Sequence, residues 1–221
     1  MVSEPERPIL RWVSAVEFAL GAAIVIGHNV FRIVPNEVMI LFILGLVSVR
    51  LRERRWSAIG FKRPTSWMLV IWVALAAAAL RHLIGSFVID PLATPWWPPS
   101  EAPEGANEIT GNIVNALIAL GLVWTFAAFG EEIAYRGYLM KRAADMLGGS
   151  RTAWWISLIA VGVLFGYGHY YKGPTGMLDS AVAGLILGGA YLATGRTLWT
   201  PILAHGFIDT FAVVWVFFGG E

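Results

Sequence analysis

Cysteine is absent from the 221 residues, which excludes thiol catalysis, disulfides, thiolate-bound zinc and cysteine redox chemistry. Charge is scarce as well. Only 14% of residues are Asp, Glu, Lys or Arg, against 57% hydrophobic, and the mean hydropathy is +0.65. Such a chain is too apolar for a soluble domain. No GxSxG nucleophile elbow and no HExxH zinc helix occurs, so the common serine-hydrolase and zincin signatures are missing. There is no internal repeat and no long polar linker. The net charge of +1 says nothing about partners by itself; the expected environment is the lipid bilayer, and no nucleic-acid partner is expected.

What is present is a series of apolar runs. Seven stretches approach the roughly 20 residues that cross a bilayer: 9–31, 36–50, 67–89, 110–136, 153–171, 177–194 and 198–218. The first follows MVSEPERPILRW, which is acidic as well as basic and precedes no small-residue cleavage site, so it reads as a retained span and not a signal peptide. The fold expected is all-α, a polytopic membrane bundle of about seven transmembrane helices, with 1–221 as one integral-membrane domain. Basic residues gather in three connections: Arg50, Arg52, Arg54, Arg55, Lys62 and Arg63; then Lys141, Arg142 and Arg151; then Arg196. Seven spans put all three on one side, the cytoplasmic one, with the N-terminus inside and the C-terminus outside. The opposite loop, 90–108, holds Asp90, Glu101, Glu104 and Glu108 with no Lys or Arg, and Trp96 and Trp97 suit the membrane interface.

Against that apolar background the segment FGEEIAYRGYL, 129–139, is expensive. A charged side chain at membrane depth costs a few kcal/mol and marks a functional site by default. On a helix Glu132 and Arg136 are i and i+4, the favourable orientation for a pair. Glu131 points about 100° away and has no built-in partner, so one glutamate is held structurally while the other is free for chemistry. Two further spans carry ionisable groups at helical spacing: Phe165 and His169 in LFGYGHYY, and His205 and Asp209 in LAHGFIDT. With α-helical rise, Glu131 and His169 each lie about 24 Å from the turn at 148–150, and His205 about 13 Å from the turn at 195–196. A shared depth in the inner half of the membrane is the expectation. His28 and His82 read as helix–helix hydrogen bonders, Asp179 and Glu17 as near-interface or packing residues, and Phe165 as packing.

A carboxylate with two imidazoles suits the activation of water. Glu131, desolvated among apolar side chains, serves as general base; His169 orients the water; His205 donates to the developing oxyanion; Asp209 fixes the His205 tautomer. The reaction class is peptide hydrolysis within the bilayer with no covalent enzyme intermediate. Two His and a carboxylate also make a catalytic zinc set, here Glu131, His169 and His205, and spacing does not separate the two versions. Two other classes compete: a non-catalytic immunity or scaffold protein that binds a peptide partner in the same cavity, and a proton pathway.

Together the motifs GEEIAYRGYL, FGYGH and HGFID resemble the three signatures of the CAAX-protease and bacteriocin-processing (CPBP) family of intramembrane proteases, EExxxR, FxxxH and HxxxN or HxxxD, in that order and over roughly 110–218. The family includes the type II CAAX prenyl endopeptidases and is regarded as glutamate-type and metal-independent. The resemblance implies an intramembrane glutamate-type endopeptidase with no cofactor, acting on a peptide or protein substrate, of which prenylated C-termini are the best-known case, in a bacterial or archaeal cell membrane. It makes Glu131 the base and His169 its assistant, with Glu132 and Arg136 in support and His205 with Asp209 as the oxyanion site. Asp209 stands where the prenyl endopeptidases carry Asn, and an ionised Asp cannot donate a hydrogen bond.

Overall fold

A computed structural model describes residues 8–98 and 106–220. No strand occurs among them, and seven long helices account for most of the chain. They are α1 (Pro8–Asn29), α2 (Glu37–Arg52), α3 (Trp67–Ala93), α4 (Ile113–Met146), α5 (Arg151–Tyr167), α6 (Gly173–Ala193) and α7 (Trp199–Phe217). Their starts follow from capping chemistry. Asn36 accepts from the Met39 amide at 3.0 Å, Ser66 from Leu69 at 3.2 Å and Ser150 from Ala153 at 3.1 Å, each satisfying a first-turn N–H that has no helical partner.

Five of these helices, α1, α3, α4, α6 and α7, are long and apolar enough to cross a membrane. The other two fall short of the roughly 20 residues needed: α2 has 16 and α5 has 17. The seven expected segments are thus all helical, while five meet the requirement for a span. Two boundaries differ from expectation. α3 runs on to Ala93 through a wider π-helical turn at Gly85–Ile89. α5 stops at Tyr167, short of 171; a tighter turn over Tyr170–Lys172 follows, and α6 begins at Gly173, ahead of 177, where glycine adopts φ 71° at no steric cost. Of the acidic loop, Glu101 and Glu104 lie outside the described residues; Trp96 and Trp97 are exposed, as an interfacial position requires.

Helix packing relies on small residues. α5 and α6 are in extensive contact, and a side chain at Gly166 would come within 2.7 Å of the Met177 carbonyl and one at Gly184 within 3.1 Å of the Gly162 Cα. Close approach of this kind lets dispersion act where lipid offers no hydrophobic drive. α3 packs on α7, α1 on the end of α4, and α2 on the middle of α4.

The basic end of the bundle holds a buried ion network. Charged residues beside the 148–150 turn need not be solvated, and Arg142 is fully buried. Its guanidinium meets Glu17 at 2.5 Å, Glu53 at 2.6 Å, Asp145 at 3.1 Å and the Ser48 hydroxyl at 2.8 Å. Arg52 also pairs with Glu17, and Lys141 with Glu53 and Asp145. Three acids and three bases from α1, α2 and α4 therefore close one network, and Glu17 is a member of it rather than a packing residue. Burial alone would raise the Glu53 carboxyl, but the hydrogen bonds and charge of Arg142, with Lys141 and Arg52, outweigh it and hold Glu53 below its usual value. A depressed folded value contributes stability above the unfolded one, near 4.5, and loses it as pH falls through the folded value. Thermal unfolding of wild type and Glu53→Gln is expected to differ at neutral pH and to converge below about pH 4; a gap that persists in acid would show that this carboxylate is not the linked group.

Candidate active site

The glutamate motif sits where α4 widens. Val123–Glu131 and Ile133–Leu139 are π-helical, the Met140 amide bonding back to the Tyr135 carbonyl five residues earlier. Such turns are rare and recur at functional sites. A wider turn rotates less per residue than the 100° of an α-helix, but the two glutamates still diverge. Glu132 is fully buried; its Oε1 accepts from the Arg136 guanidinium at 2.8 Å and faces His205 Nδ1 at 2.7 Å. Arg136, also buried, donates onward to the Gly184 carbonyl at 3.1 Å, tying α4 to α6. The i,i+4 pair read from the sequence is therefore present, with a third member from α7 that spacing did not predict.

Glu131 faces elsewhere. It lines a cavity of about 340 Å³ together with Tyr135, His169, His28, Arg32 and Glu37. Its Oε2 is buried and has no hydrogen-bond partner among the described residues. Glu132 Oε2 shares that condition, but its other oxygen is doubly engaged. His169 lies just beyond the end of α5, not on it. Its Nδ1 is 2.9 Å from the Phe165 carbonyl; a carbonyl only accepts, so Nδ1 carries the proton and a neutral ring presents Nε2 as an acceptor. Gly168 lets this turn approach α4, since a Cβ there would stand 2.6 Å from the Tyr135 hydroxyl.

Between the two glutamates' surroundings lies Phe165. Arg136 stacks on its ring at 4.5 Å, Tyr135 meets it edge-on at 4.9 Å, and His169 and His205 flank it at 4.8 and 6.1 Å. It packs, as expected, and in doing so sets the spacing of both imidazoles. His205 is not among the residues lining the Glu131 cavity. Nδ1 is committed to Glu132, and Nε2 lies 3.4 Å from Asp209 Oδ2. Trp124 covers Gly206, where any side chain would collide with the indole, and donates to Thr210 at 3.1 Å, so the helix turn bearing His205 is clamped from α4.

Glu131 and His169 thus line one cavity. The cavity lies at the α1–α2 turn, the end of those helices remote from the basic 50–63 loop. The sequence reading also passed over Glu37. Buried at the start of α2, it accepts from Asn29 at 3.0 Å and meets His28 Nε2 at 3.1 Å. A lone carboxylate opening an apolar run was the available signal. His28 bonds across the turn, Nδ1 to the Val34 carbonyl at 2.8 Å, as expected of a helix-bridging histidine. His82 packs on Phe211 at 4.4 Å, and Asp179 pairs with Arg81 between α6 and α3.

Zinc would need Glu131, His169 and His205 on one ion. Among the described residues no three His, Asp or Glu side chains converge as metal ligands do, and the nitrogens of His205 already face two carboxylates. This donor set does not fit the metal.

Residues 113–211 match the family described as type II CAAX prenyl endopeptidase Rce1-like, in agreement with the CPBP motifs that fall within that stretch. No curated protein and no solved structure matches the chain. The matched family is one of proteases, and the five apolar helices make this a multi-pass membrane protein.

Proposed function

We infer that this membrane protein of the Rce1-like protease family is a glutamate-type endopeptidase that cuts peptide bonds inside the bilayer. The observation that carries the reading is the contrast between adjacent acids: Glu132 is held by Arg136 and His205, while Glu131 presents an unpartnered oxygen to a cavity it shares with His169. Water in that cavity gives a proton to Glu131 as its oxygen attacks the peptide carbonyl, with His169 Nε2 accepting the water's second hydrogen as a positioning bond. Charge that develops on the carbonyl oxygen is met by His205 as an imidazolium: its Nδ1–H is given to Glu132, and its Nε2–H, which faces Asp209 before substrate enters, turns to the oxyanion of a peptide lying between His205 and the Glu131 cavity. Asp209 acts through His205 and not on the oxyanion, since it lacks the N–H that an Asn would offer. Glu131 then passes its proton to the leaving nitrogen as the C–N bond breaks, releasing an acid and an amine. No metal takes part in this sequence.

The finer reading places seven spans in a bacterial or archaeal membrane, with the N-terminus cytoplasmic, catalytic helices over 110–218 and a substrate that includes lipidated C-termini. The test reconstitutes the full chain in liposomes with labelled membrane-spanning and prenylated peptides and analyses products by mass. Multiple turnovers to a truncated peptide are expected. Stoichiometric binding with no cleavage of any peptide would overturn the reading in favour of a non-catalytic peptide-binding or immunity protein.

A further inference from the structure

Another cavity, apolar over most of its wall but edged by two arginines, lies where α5 begins and α6 ends, and it shares no residue with the Glu131 cavity. It has a volume of about 490 Å³, and its lining includes Arg151, Trp154, Trp155, Leu192 and Arg196. A smaller cavity of about 190 Å³ shares Trp154 and Arg196 with it and adds Lys62 and Ser57. No acidic residue lines either one.

The cations here differ from those of the interior. Arg136 and Arg142 are buried against carboxylates, whereas Arg151, Arg196 and Lys62 pair with none among the described residues. Arg196 is held in the left-handed region at φ 63°, its amide bonded to the Tyr191 carbonyl at 2.8 Å. Its guanidinium lies over the Trp154 ring at 4.6 Å, an orientation that leaves the N–H edges free for an anion. Lys62 is anchored by the Gly195 carbonyl at 2.7 Å, and partial burial together with the neighbouring Arg196 lowers its pKa. Crowded like charges without a counter-charge define a site for an anion.

The surroundings say which anion. Below the cavity α5 exposes Trp155, Ile159 and Val163, positions i, i+4 and i+8 on one helix face. Tryptophan and arginine at the start of an apolar helix belong to the headgroup level of a bilayer, and an apolar stripe leading away from it suits an acyl chain. Basic pockets between helices at this level are how membrane proteins hold acidic lipids. We propose that this cavity binds the phosphate headgroup of an anionic phospholipid, with Arg151 and Arg196 on the phosphate oxygens and one acyl chain along Trp155, Ile159 and Val163.

The experiment titrates the detergent-solubilised full chain with phosphatidylglycerol, phosphatidylcholine or inorganic phosphate and follows the thermal unfolding midpoint. Phosphatidylglycerol is expected to raise it, with the other two leaving it in place. At about fivefold per arginine near a lipid surface, Arg151→Gln with Arg196→Gln weakens the apparent affinity roughly 25-fold, with unfolding in phosphatidylcholine unchanged. Arg196→Lys, which keeps the charge and loses the planar stack, falls between. If the double variant fails to fold, Arg151→Gln alone carries the test at roughly fivefold. An undiminished response in the variants, or an equal shift with phosphatidylcholine, would overturn the proposal. A shift reproduced by inorganic phosphate alone would replace the lipid with a free anion.

Discussion

Glu131→Gln is expected to lower peptide turnover by about 10²–10⁴-fold, the range for loss of a general base, with the unfolding midpoint unmoved. Glu131 Oε2 makes no hydrogen bond among the described residues, so exchanging the carboxylate for an isosteric amide breaks no such contact there. One residue on, Glu132→Gln is expected to behave differently. It leaves the Arg136 guanidinium, 1% exposed, without its counter-charge and weakens the anchor of His205. Breaking one side of a buried pair costs about 3–5 kcal/mol, so this variant loses stability as well as activity. Turnover in liposomes and thermal unfolding of both variants separate the roles. Undiminished cleavage by Glu131→Gln would remove it as the base, and a wild-type melting curve for Glu132→Gln would remove the structural pair.

The second large effect is remote from that chemistry. Arg142→Leu should cost about 3–5 kcal/mol, because Glu17, Glu53 and Asp145 all lose a cation that is itself fully buried. Arg142→Lys is expected to recover part of the loss: a point charge reaches one acid, while the guanidinium fork spans α1, α2 and α4. Pairing Arg142→Leu with Glu53→Gln should lose less than the sum of the two single changes, since the second removes a charge that the first has stranded. Unfolding midpoints of the four proteins decide it, and strict additivity would mean that these side chains act independently.

The glutamate pair shows how far spacing reaches. That Glu132 meets Arg136 was legible because both lie on one helix, where i,i+4 neighbours are fixed by local geometry. That Glu132 also meets His205, 73 residues away, was not, because no local rule states which helices are neighbours. The depth read from spacing rests on a further assumption. A uniform rise per residue assumes α-helix throughout, and the chain departs from it in the π-helical stretch of α4 and at the early end of α5. The partners of Arg142 were not legible either, since only packing brings three acids around it.

The amino-acid sequence alone determined that the protein is helical and lives in a membrane, and which acids, imidazoles and arginine carry its motifs. Hydropathy and helical period are properties of neighbouring residues, so they need no tertiary information. Tertiary structure decided that His205 joins the Glu132–Arg136 pair, that Glu37 and His28 share the Glu131 cavity, and at which end of the bundle that cavity opens. Those outcomes depend on contacts between helices distant in the chain, and on small departures from ideal helix that accumulate over 34 residues of α4.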